Sequence, residues 1–175
     1  MVVGLATGSE KAPAGTTSRG TAVQIKELGH IVLYVRDLDR SAHFYRDILG
    51  WRPAYSGDEP LRYRGMAFNV GGRTHHELLL LEVGRSAAPL QRGRHVGLYH
   101  FGLKVGDDDD ELREVLATLV ANGVPIRGAT DHGLTHSLYI FDPDGNEIEL
   151  FIDVPGVDWD DPAHWTDPTA QPLRL

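Results

Sequence analysis

The chain has 175 residues, 41% of them apolar and 24% charged, and a formal charge of −8. That is the balance of a globular domain with enough chain to bury a core. The absence of cysteine excludes disulfides and thiolate metal ligands. The acidic balance argues against a nucleic-acid partner, and no apolar run reaches the roughly 18 residues that a membrane span needs. With no basic start and apolar run to suggest a secretory signal, a cytoplasmic location is expected.

Residues 1–25 are rich in Gly, Ala, Ser and Thr and read as a flexible tail. A domain at 26–152 follows, in halves 26–84 and 96–152 joined by a weak internal repeat. LGHIVLYVRDLDRSAHFYRDILGW, from Leu28, compares with LYHFGLKVGDDDDELREVLATLVANGV, from Leu98. In each copy a histidine opens an apolar run that suits a strand, over 30–35 and over 100–105. An acid then caps a helix: Asp39 in the first copy, an Asp of 107–110 in the second. The five acids at 107–111 read as a solvated helix start.

The first helix carries Phe44, Tyr45, Ile48 and Leu49 and stops at Gly50. The second carries Leu112, Val115, Leu116, Leu119 and Val120 and stops at Gly123. Both have helical apolar spacing and a glycine suited to a left-handed cap. Further strands are expected at 51–55, 64–70 and 76–83, then at 125–128, 138–141 and 146–152. Asp142-Pro143-Asp144-Gly145 supplies the last hairpin turn.

Each half therefore reads β-α-β-β-β and is too small to bury a sheet face alone. The expected class is α+β: paired βαβββ modules forming one curved mixed sheet, helices outside, with a site in its cavity. Residues 153–175 hold four prolines together with Trp159 and Trp165. They read as an irregular tail that docks on the body or on a partner.

Nine histidines are the compositional outlier, and histidine is the commonest metal ligand. One histidine at a strand start is ordinarily a surface residue. His30 and His100 stand at matched places in a repeat, and Glu149 lies in the last strand amid GNEIELFI. Alternation puts Glu147, Glu149 and Phe151 on one face and Ile148, Leu150 and Ile152 on the other. A carboxylate in such a run is costly to bury without a partner, and a cation is one. Two imidazoles and one carboxylate leave positions open, which suits Fe(II) binding both substrate and O2.

The segments GHIVLYVRDLDRSAHFYRDILGW, LYHFGLKV and SLYIFDPDGNEIELF resemble the vicinal oxygen chelate superfamily, which includes glyoxalases, fosfomycin-resistance enzymes, epimerases, antibiotic-sequestering proteins and type I extradiol dioxygenases. DHGLTHSLYIFDPDGNEIELF is similar to catechol 2,3-dioxygenases. That resemblance implies metal ligands His30, His100 and Glu149, with His132 as acid–base residue (His136 as the fallback). It also implies Tyr139 as a donor to bound oxygen and His76 on the oxygen side of the metal. His75 is expected to point away from His76 if both lie in a strand. Glyoxalase-type sites add a fourth ligand, a Glu, at a position that aligns with Leu80 here.

The expected function is extradiol cleavage of a small aromatic diol with O2 at Fe(II), with Mn(II) or another divalent ion as substitutes. A homodimer or higher homo-oligomer is expected. The alternatives are another metal-dependent enzyme of the superfamily (a glyoxalase-like lyase, thiol transferase or epimerase) or a metal-free protein that binds an aromatic antibiotic. His43, His95 and His164 carry no assigned role.

Overall fold

The described residues form two sheets of the same plan. A computed structural model describes residues 23–57, 64–91, 93–158, 160–162 and 170–175. The first unit runs β1 (Ile31–Val35), α1 (Leu38–Ala42) continued by a π-helical turn (His43–Ile48), β2 (Arg52–Gly57), β3 (Gly65–Asn69) and β4 (Leu78–Glu82). The second runs β5 (His100–Gly106), α2 (Asp109–Ala121), β6 (Gly128–Asp131), β7 (Thr135–Phe141) and β8 (Glu147–Asp153).

The sheet orders match, β1-β4-β3-β2 and β5-β8-β7-β6, and the first and last strands of each unit are parallel. This is the expected α+β pair of βαβββ units. Its hydrogen bonding forms separate sheets of four and five strands rather than one continuous sheet.

Period-2 alternation gives each sheet one covered and one open face. Leu33, Val35, Phe68, Leu78 and Leu80 pack under α1 with Leu38, Phe44 and Tyr45; Phe101, Leu138, Ile140, Ile148, Leu150 and Ile152 pack under α2 with Leu112 and Leu119. Each such leucine or isoleucine contributes about 1.5–3 kcal/mol by leaving water. The open faces carry Val32, Tyr34, Leu79 and Leu81 in the first unit, and His100, Gly102, Tyr139, Glu147, Glu149 and Phe151 in the second.

Gly50 and Gly123 close the helices at φ 75° and 68°, the left-handed geometry that glycine adopts without strain. The caps differ in part from expectation. Asp37, not Asp39, caps α1 by accepting from the Arg40 N–H, while Asp39 pairs with Arg64 at 2.7 Å. Asp108 caps α2.

The strand expected at 125–128 forms instead at Gly128–Asp131, because β7 begins earlier, at Thr135, and takes β6 with it in register. The C-terminal segment, expected to be irregular, adds β9 (Gln171–Pro172) to the free edge of β6. Trp159, Trp165 and His164 lie outside the described residues.

The last hairpin turn of the second unit is bonded to the helix of the first. Tyr45 donates from its hydroxyl to Asp142 Oδ2 at 2.9 Å, Arg40 pairs with Asp144 at 3.1 Å, and the Arg36 N–H donates to Asp144. Asp142 is only 4% exposed, and the backbone N–H groups of Asp144 and Asn146 and the Asn146 amide also satisfy it. A cavity of about 640 Å³ lies between the units, with Trp51, Phe101 and Leu150 in its lining.

Candidate metal centre

The second unit assembles a polar chain on its open face. Parallel pairing of β5 with β8 sets His100 opposite Glu147 and Gly102 opposite Glu149. His100 Nε2 lies 3.2 Å from Glu149 Oε2. Antiparallel pairing sets Tyr139 opposite Glu149, and the Tyr139 hydroxyl donates to Glu149 Oε1 at 2.9 Å. His132 Nε2 meets the same hydroxyl at 2.8 Å and stands 3.9 Å from Glu149. The hydroxyl has one proton, and it is given to Glu149. The bond from His132 must therefore be donated by Nε2–H, which leaves the lone pair on Nδ1.

Burial, reinforced by the carboxylate of Glu149, raises the Tyr139 phenol well above its ordinary range, so it stays protonated and remains a donor. His100 Nδ1 is buried and makes no hydrogen bond. Glu147 stands 3.5 Å from it without the alignment of one. A Cβ at Gly102 would lie 3.2 Å from the Phe151 ring and 3.7 Å from Glu149 Oε2. Glycine there keeps the space beside the carboxylate open.

His136 is elsewhere. Register places it with Ile152, on the helix-covered face, and its Nδ1 meets Asp109 at 2.6 Å.

The first unit places its histidine differently. His30 does not meet His100 and Glu149. Among the described residues, the one group of three His or acidic side chains with ligand atoms all within 4.8 Å of one another is His30, His75 and His76. His75 and His76 lie in the loop before β4, since that strand starts at Leu78 rather than at 76. Strand alternation therefore does not apply, and His75 turns toward His76 instead of away. Burial, then the neighbouring His75 and His30, holds His76 below the ordinary histidine value of 6.5.

Register also corrects the fourth-ligand position. Val32 pairs with Leu79 as Gly102 pairs with Glu149, so Leu79 is the counterpart of Glu149. Leu80 is fully buried on the opposite face. Of the three expected ligands, His30 lines the cavity between the units, whereas His100 and Glu149 lie on the open face of the second sheet.

Two nitrogens and a carboxylate suit a divalent cation that keeps positions open. One chain brings two of those three donors together. Strand alternation puts Glu147 on the face of Glu149 without giving it a role, and it stands 3.5 Å from His100; sequence reasoning missed the joint orientation of His75 and His76.

The model of the Glyoxalase/Bleomycin resistance protein/Dioxygenase superfamily matches residues 27–150. The chain belongs to this superfamily. It is 36% identical over 132 residues to a catechol-2,3-dioxygenase of Bacillus subtilis (strain 168), covering 75% of this chain and 43% of that protein. It is 32% identical to a biphenyl-2,3-diol 1,2-dioxygenase of Rhodococcus globerulus, covering 72% and 63%. The chain thus spans less than two thirds of the length of these superfamily relatives.

A lactoylglutathione lyase of Haemophilus influenzae, 30% identical, is covered over 88% of its length, against 69% of this chain. A solved superfamily domain from Frankia sp. EAN1pec shares the fold, with a TM-score of 0.62 at 21% identity over 74% of this chain and 99% of that one. Superfamily membership is therefore plain, and its members here include both dioxygenases and lyases. Among the described residues no helix is long and apolar enough to cross a membrane.

Proposed function

We propose that the protein is an extradiol dioxygenase that opens a small aromatic diol with O2 at an Fe(II) centre of His30, His100 and Glu149. The observation that carries this reading is the His132–Tyr139–Glu149 chain beside His100, together with relatives named as diol dioxygenases. His30 reaches the centre from a second copy of the chain. In one copy it stands apart, and its strand exposes Val32 and Tyr34 (45% and 62%) while Leu98 and Tyr99 before His100 are largely exposed as well. Apolar side chains in such a patch favour burial against another surface. A homodimer in which each copy supplies His30 to the other fits both facts.

Bound there, Fe(II), or Mn(II) on the same donors, supplies electron density to O2 and open positions for a diol. The protein's own groups do the rest. Tyr139 holds the Glu149 carboxylate in place by donating to Oε1. His132 is the acid–base group, taking up the proton released by the diol and returning it as the ring opens. His76, which packs against His30 and comes with it from the second copy, stands on the oxygen side, where its neutral N–H stabilises negative charge developing on oxygen. The apolar pair Val32–Leu79 supplies no fourth carboxylate and leaves the positions open for substrate.

The test is anaerobic loading with Fe(II), then air and a panel of mono- and bicyclic catechols. Oxygen uptake with a yellow ring-opened product is expected, and no uptake across the panel refutes the reading. A second reading, a metal-dependent lyase on the same donors, is favoured by the extent of the lyase match. It predicts turnover of a thiol adduct without oxygen.

A further inference from the structure

The first unit holds a cluster that the ring-cleavage reading uses only in part. The ring centroids of His75 and His76 are 4.2 Å apart, those of His30 and His76 4.5 Å, and those of His30 and His75 5.7 Å. One ligand atom from each lies within 4.8 Å of the others.

The loop that presents them is held from below. Asn69 donates from its amide to the Thr74 carbonyl at 2.9 Å and accepts from the Gly72 N–H at 3.1 Å. Glu77 accepts from the N–H groups of Val70 and Gly71, each at 2.7 Å. His75 Nδ1 is engaged with the Thr74 hydroxyl at 3.2 Å, which leaves Nε2 as the ligating nitrogen. Such an outer bond fixes the ring of a metal-binding histidine. His76 Nε2 is buried and has no hydrogen-bond partner. An unpaired buried nitrogen is costly, and a cation on its lone pair removes that cost.

We infer that His30, His75 and His76 form a three-nitrogen site for a late first-row divalent ion, Zn2+, Ni2+ or Cu2+, completed by one chain alone. Uncharged imidazoles suit these ions, whereas Mg2+ and Ca2+ require oxygen donors. Metal–nitrogen bonds of about 2.0–2.1 Å need the rings to draw inward slightly. All three histidines sit outside the strands, where such movement breaks no ladder. The second unit has no equivalent, since its histidine meets Glu149 instead. This site does not depend on the ring-cleavage reading. It shares His30 with the proposed iron centre, so one His30 serves one ion at a time.

The test titrates metal-free, full-length protein with Zn2+ by calorimetry, and with Co2+ as a visible-absorption probe. We expect one Zn2+ per chain on this site, its affinity unchanged in Glu149→Gln and reduced at least about tenfold in the double variant His75→Ala/His76→Ala. If the double variant does not fold, the single variants His75→Gln and His76→Gln should show the same loss of affinity. Histidine variants that bind Zn2+ as the wild type does, or loss of Zn2+ binding in Glu149→Gln, overturn the site. Loss of oxygen uptake in Glu149→Gln bears on ring cleavage alone.

Discussion

The two units share a plan and a histidine at its start, yet surround that histidine in opposite ways. His100 faces Glu149, with Tyr139 and His132 behind it. His30 faces two more imidazoles, and the pair at the Gly102–Glu149 register is the apolar Val32–Leu79. The carboxylates two residues upstream also diverge. Glu147 stays near His100, whereas Glu77 turns to the Val70–Gly71 turn. Two copies of one scaffold thus separate a charge-compensating set of donors from a neutral one. The cation preferences proposed for the two sets rest on that difference, since a carboxylate offsets ionic charge and an imidazole does not.

The largest expected effect is that of Glu149→Gln. It removes the carboxylate of the second unit, and iron retention and oxygen uptake should fall more than about 100-fold, beyond the usual cost of losing an outer-shell partner. Iron content by metal analysis checks it, and retained iron would erase the contrast between the units. Next is His132→Ala, which should keep iron while turnover drops about 10²–10⁴-fold. Full turnover in that variant would remove His132 from the acid–base role.

Tyr45→Phe breaks the joint rather than either cluster. It should cost about 1.5–3 kcal/mol, the range for a hydrogen bond to a charged group, as read by urea unfolding. A joint that matters to both units lowers both transitions together, and two separated transitions would show that the units unfold independently.

The smallest effect tests Glu77. Donation from Val70 first, then Gly71, holds its carboxyl below the ordinary 4.5. Its folded value is the lower one, so its stabilising contribution is present above about 4.5 and is lost as pH falls through the depressed value. Glu77→Gln should therefore melt a few degrees below wild type at pH 7. Thermal scans at falling pH should show that gap closing, and a gap of constant size would contradict the linkage.

Much of this was legible in the residues. The matched histidines, the glycine helix stops, the faces of 147–152 and the final hairpin turn all follow from local pattern. The proximity of His132 and Tyr139 to Glu149 was implied by resemblance alone. What stayed hidden depends on register and long-range packing. Leu79 rather than Leu80 matches Glu149 because pairing, not sequence distance, sets the face. His75 faces His76 because the chain is not yet a strand there. His30 groups with His75 and His76 rather than with His100, and the units are bonded through Tyr45 and Asp142; no local periodicity encodes either.

That contact has a consequence for how the chain is made. Asp142 follows Tyr45 by 97 residues. At synthesis rates of about 5–20 residues per second, the phenol waits on the order of 5–20 s for its acceptor to emerge. During that interval the helix of the first unit carries a burial-ready polar group with nowhere to place it, and the growing chain is most open to proteases and to misplaced contacts. The unit translated first is completed only when the last hairpin arrives.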